Sequence, residues 1–320
     1  MKESSLNQGF LMALNEKHPQ KLFLVNDISR VLKLEKKTVY RRLSGEVPFT
    51  ANEMGVLASH YGISLDYVMS GRGLKHNYFL FESPILTSIS ELTKESLGGY
   101  TQKMKEVVTN PHCEMGYVLN SIPKFLFCRY KHVVQFLLFK WGYYSHRDSF
   151  ASYGDVEVPD VVMSYYINMN ELFRCIKNSF YIWNASIIYD LVKDIQYFLS
   201  IDKVSIADVN TIKEELYQSI DMLEDLAKAG EFEDTGNSFE LYTSALDFGP
   251  TRLFVCTDQF YMAVCVVNLV QRFSSYEKEM AERAKVAINA IRSASLRISQ
   301  SAEKERILFF NEQRALVERL

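Results

Sequence analysis

The chain has 320 residues, with 36 Lys or Arg against 39 Asp or Glu for a formal net charge of −3, and it is 48% hydrophobic with 21 Phe and 19 Tyr. So much apolar and aromatic content excludes an unfolded polar chain, and the length exceeds what one small domain needs, so more than one folded unit is expected. No apolar run approaches the ~18 residues that span a bilayer, and Met1-Lys2-Glu3 leads into no apolar signal segment, which together point to a cytoplasmic protein.

A first helix is expected at 6–15. Between Val25 and Gly45 the sequence VNDISRVLKLEKKTVYRRLSG places Ile28, Val31, Leu32 and Leu34 at helical spacing, breaks at Lys33-Leu34-Glu35, and resumes with Val39 and Leu43 four apart. Two short helices meeting at a polar turn follow from that pattern. The second, at 36–44, offers Lys36, Lys37, Thr38, Tyr40, Arg41 and Arg42, a set of cations and hydrogen-bonding groups that reaches both phosphates and base edges of a duplex. Gly45 stands where a helix commonly ends in a left-handed residue. Thr50-Ala51-Asn52-Glu53 spells a capping box that starts a fourth helix over Met54, Val56, Leu57 and Ala58, and Ser64 caps a short fifth helix carrying Leu65 and Val68. Ser70-Gly71-Arg72-Gly73 reads as its end and as a joint between a domain at 1–75 and another at 76–320. Charge agrees with that division: residues 1–76 hold 11 basic and 7 acidic residues, a net of +4, which leaves −7 for the remainder. A basic end supplies the sequence-independent part of an affinity for DNA.

These residues resemble the phage Cro and repressor (XRE-like) class of helix-turn-helix regulators, and TVYRRLSGEVPFT with YGISLDYVMSG resembles a group of bacterial regulators typical of Bacteroides relatives; the likeness covers 1–75. The resemblance implies a five-helix DNA-binding unit in which Lys36, Lys37 and Arg41 read bases, while Thr38, Tyr40 and Arg42 contact phosphates or neighbouring bases. Three positions depart from the class. Lys33 stands where it usually has Gly in the turn, Val25 where it has a phosphate-binding Gln, and Arg42 where it has an apolar residue whose contact Leu43 can supply. Asn26 or the helix N-terminus then becomes the candidate phosphate donor. On this reading Arg41→Ala loses sequence discrimination, and Arg42→Ala weakens binding to every sequence and flattens its salt dependence. One recognition helix covers few base pairs, so a homodimer on double-stranded DNA is expected.

Beyond the joint the pattern is mainly helical. Segments 84–109, 115–140, 160–180 and 184–200 carry apolar residues three and four apart, and Ser205 opens a helix that runs to Ala229 and stops at Gly230. The runs 239–246 and 251–256 flank Asp247-Phe248-Gly249-Pro250 and predict a β-hairpin near 239–257, while 260–267 suits a third strand or a buried helix equally. Helices are expected again at 275–297 and 301–319, where Glu-Lys-Glu-Arg and Phe-Phe at 303–310 again resemble the ending of the Bacteroides-type regulators. The expected fold is therefore mainly α: a five-helix helix-turn-helix domain plus a larger helical domain containing a small β-hairpin or sheet.

Catalytic motifs are weak. His146-Arg147-Asp148 and Asp247-Phe248-Gly249 spell two kinase signatures, but they stand far apart where kinases place them close together, and Tyr153 occupies the position that requires Asn. Ser145, His146 and Asp148 lack a nucleophile elbow. His18, His60, His76, His112, His132 and His146 show no paired ligand spacing, and His112-Cys113 is one pair where a structural zinc takes four ligands. No catalysis, metal or other cofactor is expected. Cys113, Cys128, Cys175, Cys256 and Cys265 lie in apolar stretches and read as reduced core thiols. The aromatic-rich stretch 125–144, with Arg129, Lys131, His132, Lys140 and Trp141, suits either core or a small-molecule effector pocket, for which Tyr165, Tyr166, Trp183 and Tyr189 are further lining candidates. The expectation is a DNA-binding transcriptional regulator whose larger domain dimerises and senses an effector. The alternative is an interaction scaffold or anti-factor that uses the helix-turn-helix as a protein-docking surface.

Overall fold

Four helices, α1 (Leu6–Lys17), α2 (Lys21–Leu32), α3 (Lys36–Leu43) and α4 (Ala51–Tyr61), build the N-terminal part of the computed structural model. The structure describes residues 6–17, 21–65, 68, 79–82, 104–145, 151–267 and 271–320. The chain divides into two units, Met1–Asn77 and Tyr78–Leu320. The core of the first unit gathers Phe10 and Leu14 of α1, Leu24, Val25 and Ile28 of α2, Val39 of α3, and Met54 and Leu57 of α4, with Phe49 between the last two helices. Of the expected fifth helix, Leu65 and Val68 pack on this core and Val68 N donates to Ser64 O at 3.1 Å. Its remainder and the Ser70–Gly73 joint lie outside the described residues.

Local signals set the helix ends. Thr50 Oγ1 accepts from Glu53 N at 3.2 Å while Glu53 Oε2 accepts from Thr50 N at 2.7 Å, a complete capping box on α4. Gly62 and Gly45, at φ +62° and +78°, end α4 and follow α3 in the left-handed region that glycine enters without a Cβ penalty. Between helices, Asp27 of α2, 9% exposed, accepts from Tyr61 Oη at 2.8 Å, from Arg30 Nη2, and meets His60 Nε2 at 2.9 Å. Burial alone would raise the Asp27 carboxyl, but the hydrogen bonds from Tyr61, His60 and Arg30 hold it at about 2 against an ordinary 3.8. A carboxyl lowered on folding stabilises above its unfolded value and loses that contribution as pH falls through the folded one. The first unit is therefore expected to weaken as pH drops from 3.8 toward about 2. Asp27→Asn, already weaker by about 2 kcal/mol, should lose this window; identical acid melting profiles for both proteins would contradict the assignment.

The second unit overturns the expectation of a mainly helical domain with a small hairpin. It is an α/β fold on an eight-stranded mixed sheet. The strands are β1 (Leu80–Glu82), β2 (Glu114–Leu119), β3 (Asn178–Asn184), β4 (Glu240–Ser244), β5 (Arg252–Cys256), β6 (Tyr261–Val266), β7 (Arg272–Ser275) and β8 (Leu296–Arg297), in the order β1-β7-β6-β5-β2-β3-β4-β8. β2, β3 and β4 run parallel, and the remaining pairs are antiparallel. Parallel neighbours need long crossovers. These are α5 (Lys124–Phe127), α6 (Lys131–Ser145) and α7 (Asp160–Arg174) from β2 to β3, then α8 (Tyr189–Ser200) and α9 (Ile206–Ala229) from β3 to β4.

The crossover helices and the terminal α11 (Glu303–Glu318) cover one sheet face, against Met115, Tyr181, Trp183, Leu241, Leu253 and Val255. The other face, with Val118, Phe180, Ile182 and Phe254, meets Ala281 and Ile288 of α10 (Lys278–Ser293). Strands buried on both faces show continuous apolar runs instead of alternation, so β2 reads as part of a helix at 115–140, while β3 straddles the gap between the expected helices at 160–180 and 184–200. The expected hairpin near 239–257 does not form. β4 pairs with β3 and β8, and β5 with β2 and β6, so two strands separate the two runs. Gly249, at φ +78°, donates its N–H to Asp247 Oδ1 at 2.8 Å, in a connection that crosses over β2 and β3. The run at 260–267 is strand β6, and Ser205 and Gly230 bracket α9 as a capping box and a left-handed cap.

Candidate nucleic-acid interface

α3 has eight residues. At 1.5 Å per residue it is about 12 Å long, roughly the width of the major groove of B-DNA. Successive residues turn by about 100°. Lys36, Tyr40, Ser44, Lys37 and Arg41 therefore share one arc of roughly 140°, and Thr38, Arg42, Val39 and Leu43 occupy the rest. Burial follows this division. Lys36, Lys37, Tyr40, Ser44 and Arg41 are exposed, Thr38 is half-buried, Val39 is fully buried and Leu43 packs on the core. The predicted site residues thus separate into an outward set of Lys36, Lys37, Tyr40 and Arg41, a flanking Thr38, and an inward Arg42.

Arg42 is held by the fold. Its Nη2 donates to Glu53 Oε1 at 3.0 Å and its Nη1 to Pro48 O, its side chain is 15% exposed, and Nε is buried without a partner among the described residues. Because Glu53 also closes the α4 capping box, Arg42 links α3 to the start of α4. The geometry gives Arg42 this structural task in place of the phosphate contact expected from the sequence. Arg41 points outward with a 52% exposed side chain, and its Nε donates to Glu46 Oε1 at 3.0 Å. Glu46 was not singled out by the sequence. It follows α3 in a loop that turns back onto residue 41, a contact with no fixed helical spacing to announce it.

The turn that sets α3 on α2 is braced by Ser29, whose Oγ donates to Leu34 O at 2.6 Å and whose carbonyl accepts from Leu34 N at 3.2 Å. Lys33 sits there at φ +54°, in the left-handed region where the resembling class carries Gly. A side chain in that region costs about 1 kcal/mol. Lys33→Gly is therefore expected to raise the unfolding free energy of the first unit, measured by denaturant titration, by up to about 1 kcal/mol. Lys33→Ala, which keeps the Cβ, should gain nothing; equal gains from both would place the effect in the lost charge instead of the backbone.

Val25 is fully buried, so the position of the class's phosphate-binding Gln is core here. Asn26 is exposed, but α2 begins at Lys21, so Asn26 lies in its second turn and away from the helix N-terminus.

The second unit offers less. Phe125, Phe127, Phe136 and Phe139 are buried, as is Trp183, and the rings pack on each other, with Phe125 and Tyr181 stacked at 5.6 Å and Phe139 and Phe198 edge-on at 4.8 Å. The aromatic stretch at 125–144 is thus largely core. Tyr166 is also buried, Tyr165 packs partly buried against it, and Tyr189 is exposed. Cys113, Cys128 and Cys256 are buried free thiols, and burial pushes them up to about 12, 12 and 11. Cys175 departs from the core reading and is exposed, and Cys265 is partly so. His146 and Asp148 lie outside the described residues, and among the described residues no group of three or more His, Cys, Asp or Glu is placed to hold a metal ion. No helix among them is long and apolar enough to cross a membrane. In comparisons with known proteins, no family model, no curated protein and no solved structure matches the chain.

Proposed function

We propose that the chain is a sequence-specific DNA-binding transcriptional regulator of the cytoplasm, with α3 in the major groove and the second unit serving dimerisation and effector sensing. The observation that carries this reading is the outward arc of α3, where Lys36, Lys37, Tyr40 and Arg41 are exposed on a helix whose opposite side is fixed by Val39, Leu43 and Arg42. Lys36 and Lys37 sit in its first turn and Arg41 in its last full turn, so the cations cover the length of the helix. In this reading Arg41, Lys36 and Lys37 address base edges, while Tyr40 and Thr38 serve phosphates or flanking bases.

A helix of about 12 Å spans only three or four base pairs at 3.4 Å each. Useful discrimination then needs two copies, with half-sites about 34 Å apart on one face of the duplex. The test is selection of random duplexes by the full chain at moderate salt, followed by sequencing. Enrichment of an inverted repeat is the expected result. A pool left unenriched would reject the regulator and favour the protein-docking alternative.

A further inference from the structure

We propose that Glu46 is a positioning residue for base recognition, one that presents Arg41 end-on to a guanine and holds it off the phosphates; this rests on the reading of α3 as the DNA-facing helix. The loop after α3 is fastened to residue 41 at both its backbone and its side chain. Val47 N donates to Arg41 O at 3.1 Å and Ser44 Oγ donates to the same carbonyl at 3.0 Å, while Glu46 Oε1 takes Arg41 Nε at 3.0 Å. Gly45, at φ +78°, lets the chain reverse tightly enough to bring residue 46 back over the helix.

A guanidinium carries one N–H on Nε and two on each terminal nitrogen. With Nε engaged by Glu46, Nη1 and Nη2 of Arg41 have no hydrogen-bond partner among the described residues. That end is the fork that matches O6 and N7 of guanine. The adjacent Arg42 does the reverse and directs both terminal nitrogens to Pro48 O and Glu53. An exposed ion pair such as Arg41 with Glu46 adds little to folding. A carboxylate on the DNA-facing side also repels phosphate, so its value lies in restricting where Arg41 goes.

The full-length chain is tested as wild type, Glu46→Ala, Glu46→Gln, Arg41→Ala and the Arg41→Ala/Glu46→Ala double variant. Each is titrated with the duplex enriched from the random pool and with a scrambled duplex of the same composition, over a range of salt. Glu46→Ala should lower the ratio of the two affinities about tenfold, tighten scrambled-duplex binding, and steepen its salt slope by about 0.9 as the released Arg41 takes a phosphate. Glu46→Gln retains an oxygen acceptor and should keep most of the ratio. In the Arg41→Ala background, Glu46→Ala should leave the ratio where Arg41→Ala put it, because the lost repulsion of phosphate acts alike on both duplexes. An unchanged ratio and slope in Glu46→Ala, on a protein that still enriches a motif, overturns the role of Glu46 alone. Failure of the wild type to enrich any duplex overturns the underlying reading and this inference together.

Discussion

Arg41→Ala is expected to lower discrimination between the selected and scrambled duplexes by about 10- to 100-fold, the equivalent of one bidentate arginine–guanine pair. Its melting behaviour should stay close to wild type. The side chain is 52% exposed and its described partner is the equally exposed Glu46, so truncation removes a surface ion pair and nothing from the core. Arg42→Ala should behave in the opposite way although it is the next residue. It breaks a half-buried link to Glu53 and Pro48, and leaves the Glu53 carboxylate with the backbone of Thr50 as its remaining partner among the described residues. A loss of about 2 kcal/mol is expected, or roughly 10 °C in a domain of this size. Below that melting point, its sequence ratio and salt slope should match wild type. Titrations across salt and thermal melts on the same two variants separate the roles. A retained ratio in Arg41→Ala removes the base contact. A flatter slope in Arg42→Ala without a shifted melt makes that residue a phosphate ligand after all.

The two arginines also show how far the sequence was legible. Their types and the helix around them followed from local spacing, as did Gly45, the Thr50–Glu53 box and the ends of α9, because each is decided within a few residues. The inward turn of Arg42 was within reach of the same geometry, since at 3.6 residues per turn it falls on the side of Val39 and Leu43, yet the cationic run at 36–42 groups it with the outward, phosphate-reaching set. Glu46 could not be read in the same way, since its meaning depends on a loop folding back onto residue 41. Asp27 illustrates the same limit. Its pairing with Arg30 is local, but His60 and Tyr61 arrive from another helix. In the second unit, strand pairing is non-local throughout. Asp247 accepts from Gly249 N as a local bend would require, yet nothing in Asp247 to Pro250 reveals that β2 and β3 lie between the strands they join.

Gly116→Ala is expected to cost the second unit about 3 kcal/mol, a purely steric penalty for one methyl group. Gly116 lies in β2 directly opposite Phe180 of β3 and Phe254 of β5. Strands on either side of a third are roughly 9.6 Å apart, but these two rings lean across the glycine until their centroids are 6.1 Å apart at 60°. A Cβ built there would lie 2.4 Å from Phe254 and 2.5 Å from Phe180. The rings have little room to withdraw. Both are buried, the Arg292 guanidinium lies 4.3 Å above Phe180 and pairs with Glu240, and Lys285 lies 5.8 Å above Phe254 and pairs with Glu114. Displacing them therefore disturbs the seat of α10 on the sheet, where Ala281 and Ile288 are its buried contacts. Denaturant unfolding of Gly116→Ala, Phe254→Leu and the double variant tests the mechanism. The double variant should recover at least about 1 kcal/mol relative to additivity, because the smaller side chain vacates the space the methyl needs. A Gly116→Ala protein within about 0.5 kcal/mol of wild type would show that the rings can part freely. On the proposed regulator the same variant should weaken binding to an inverted repeat more than to a single half-site, since the damage falls on the unit assigned to dimerisation and spares α3.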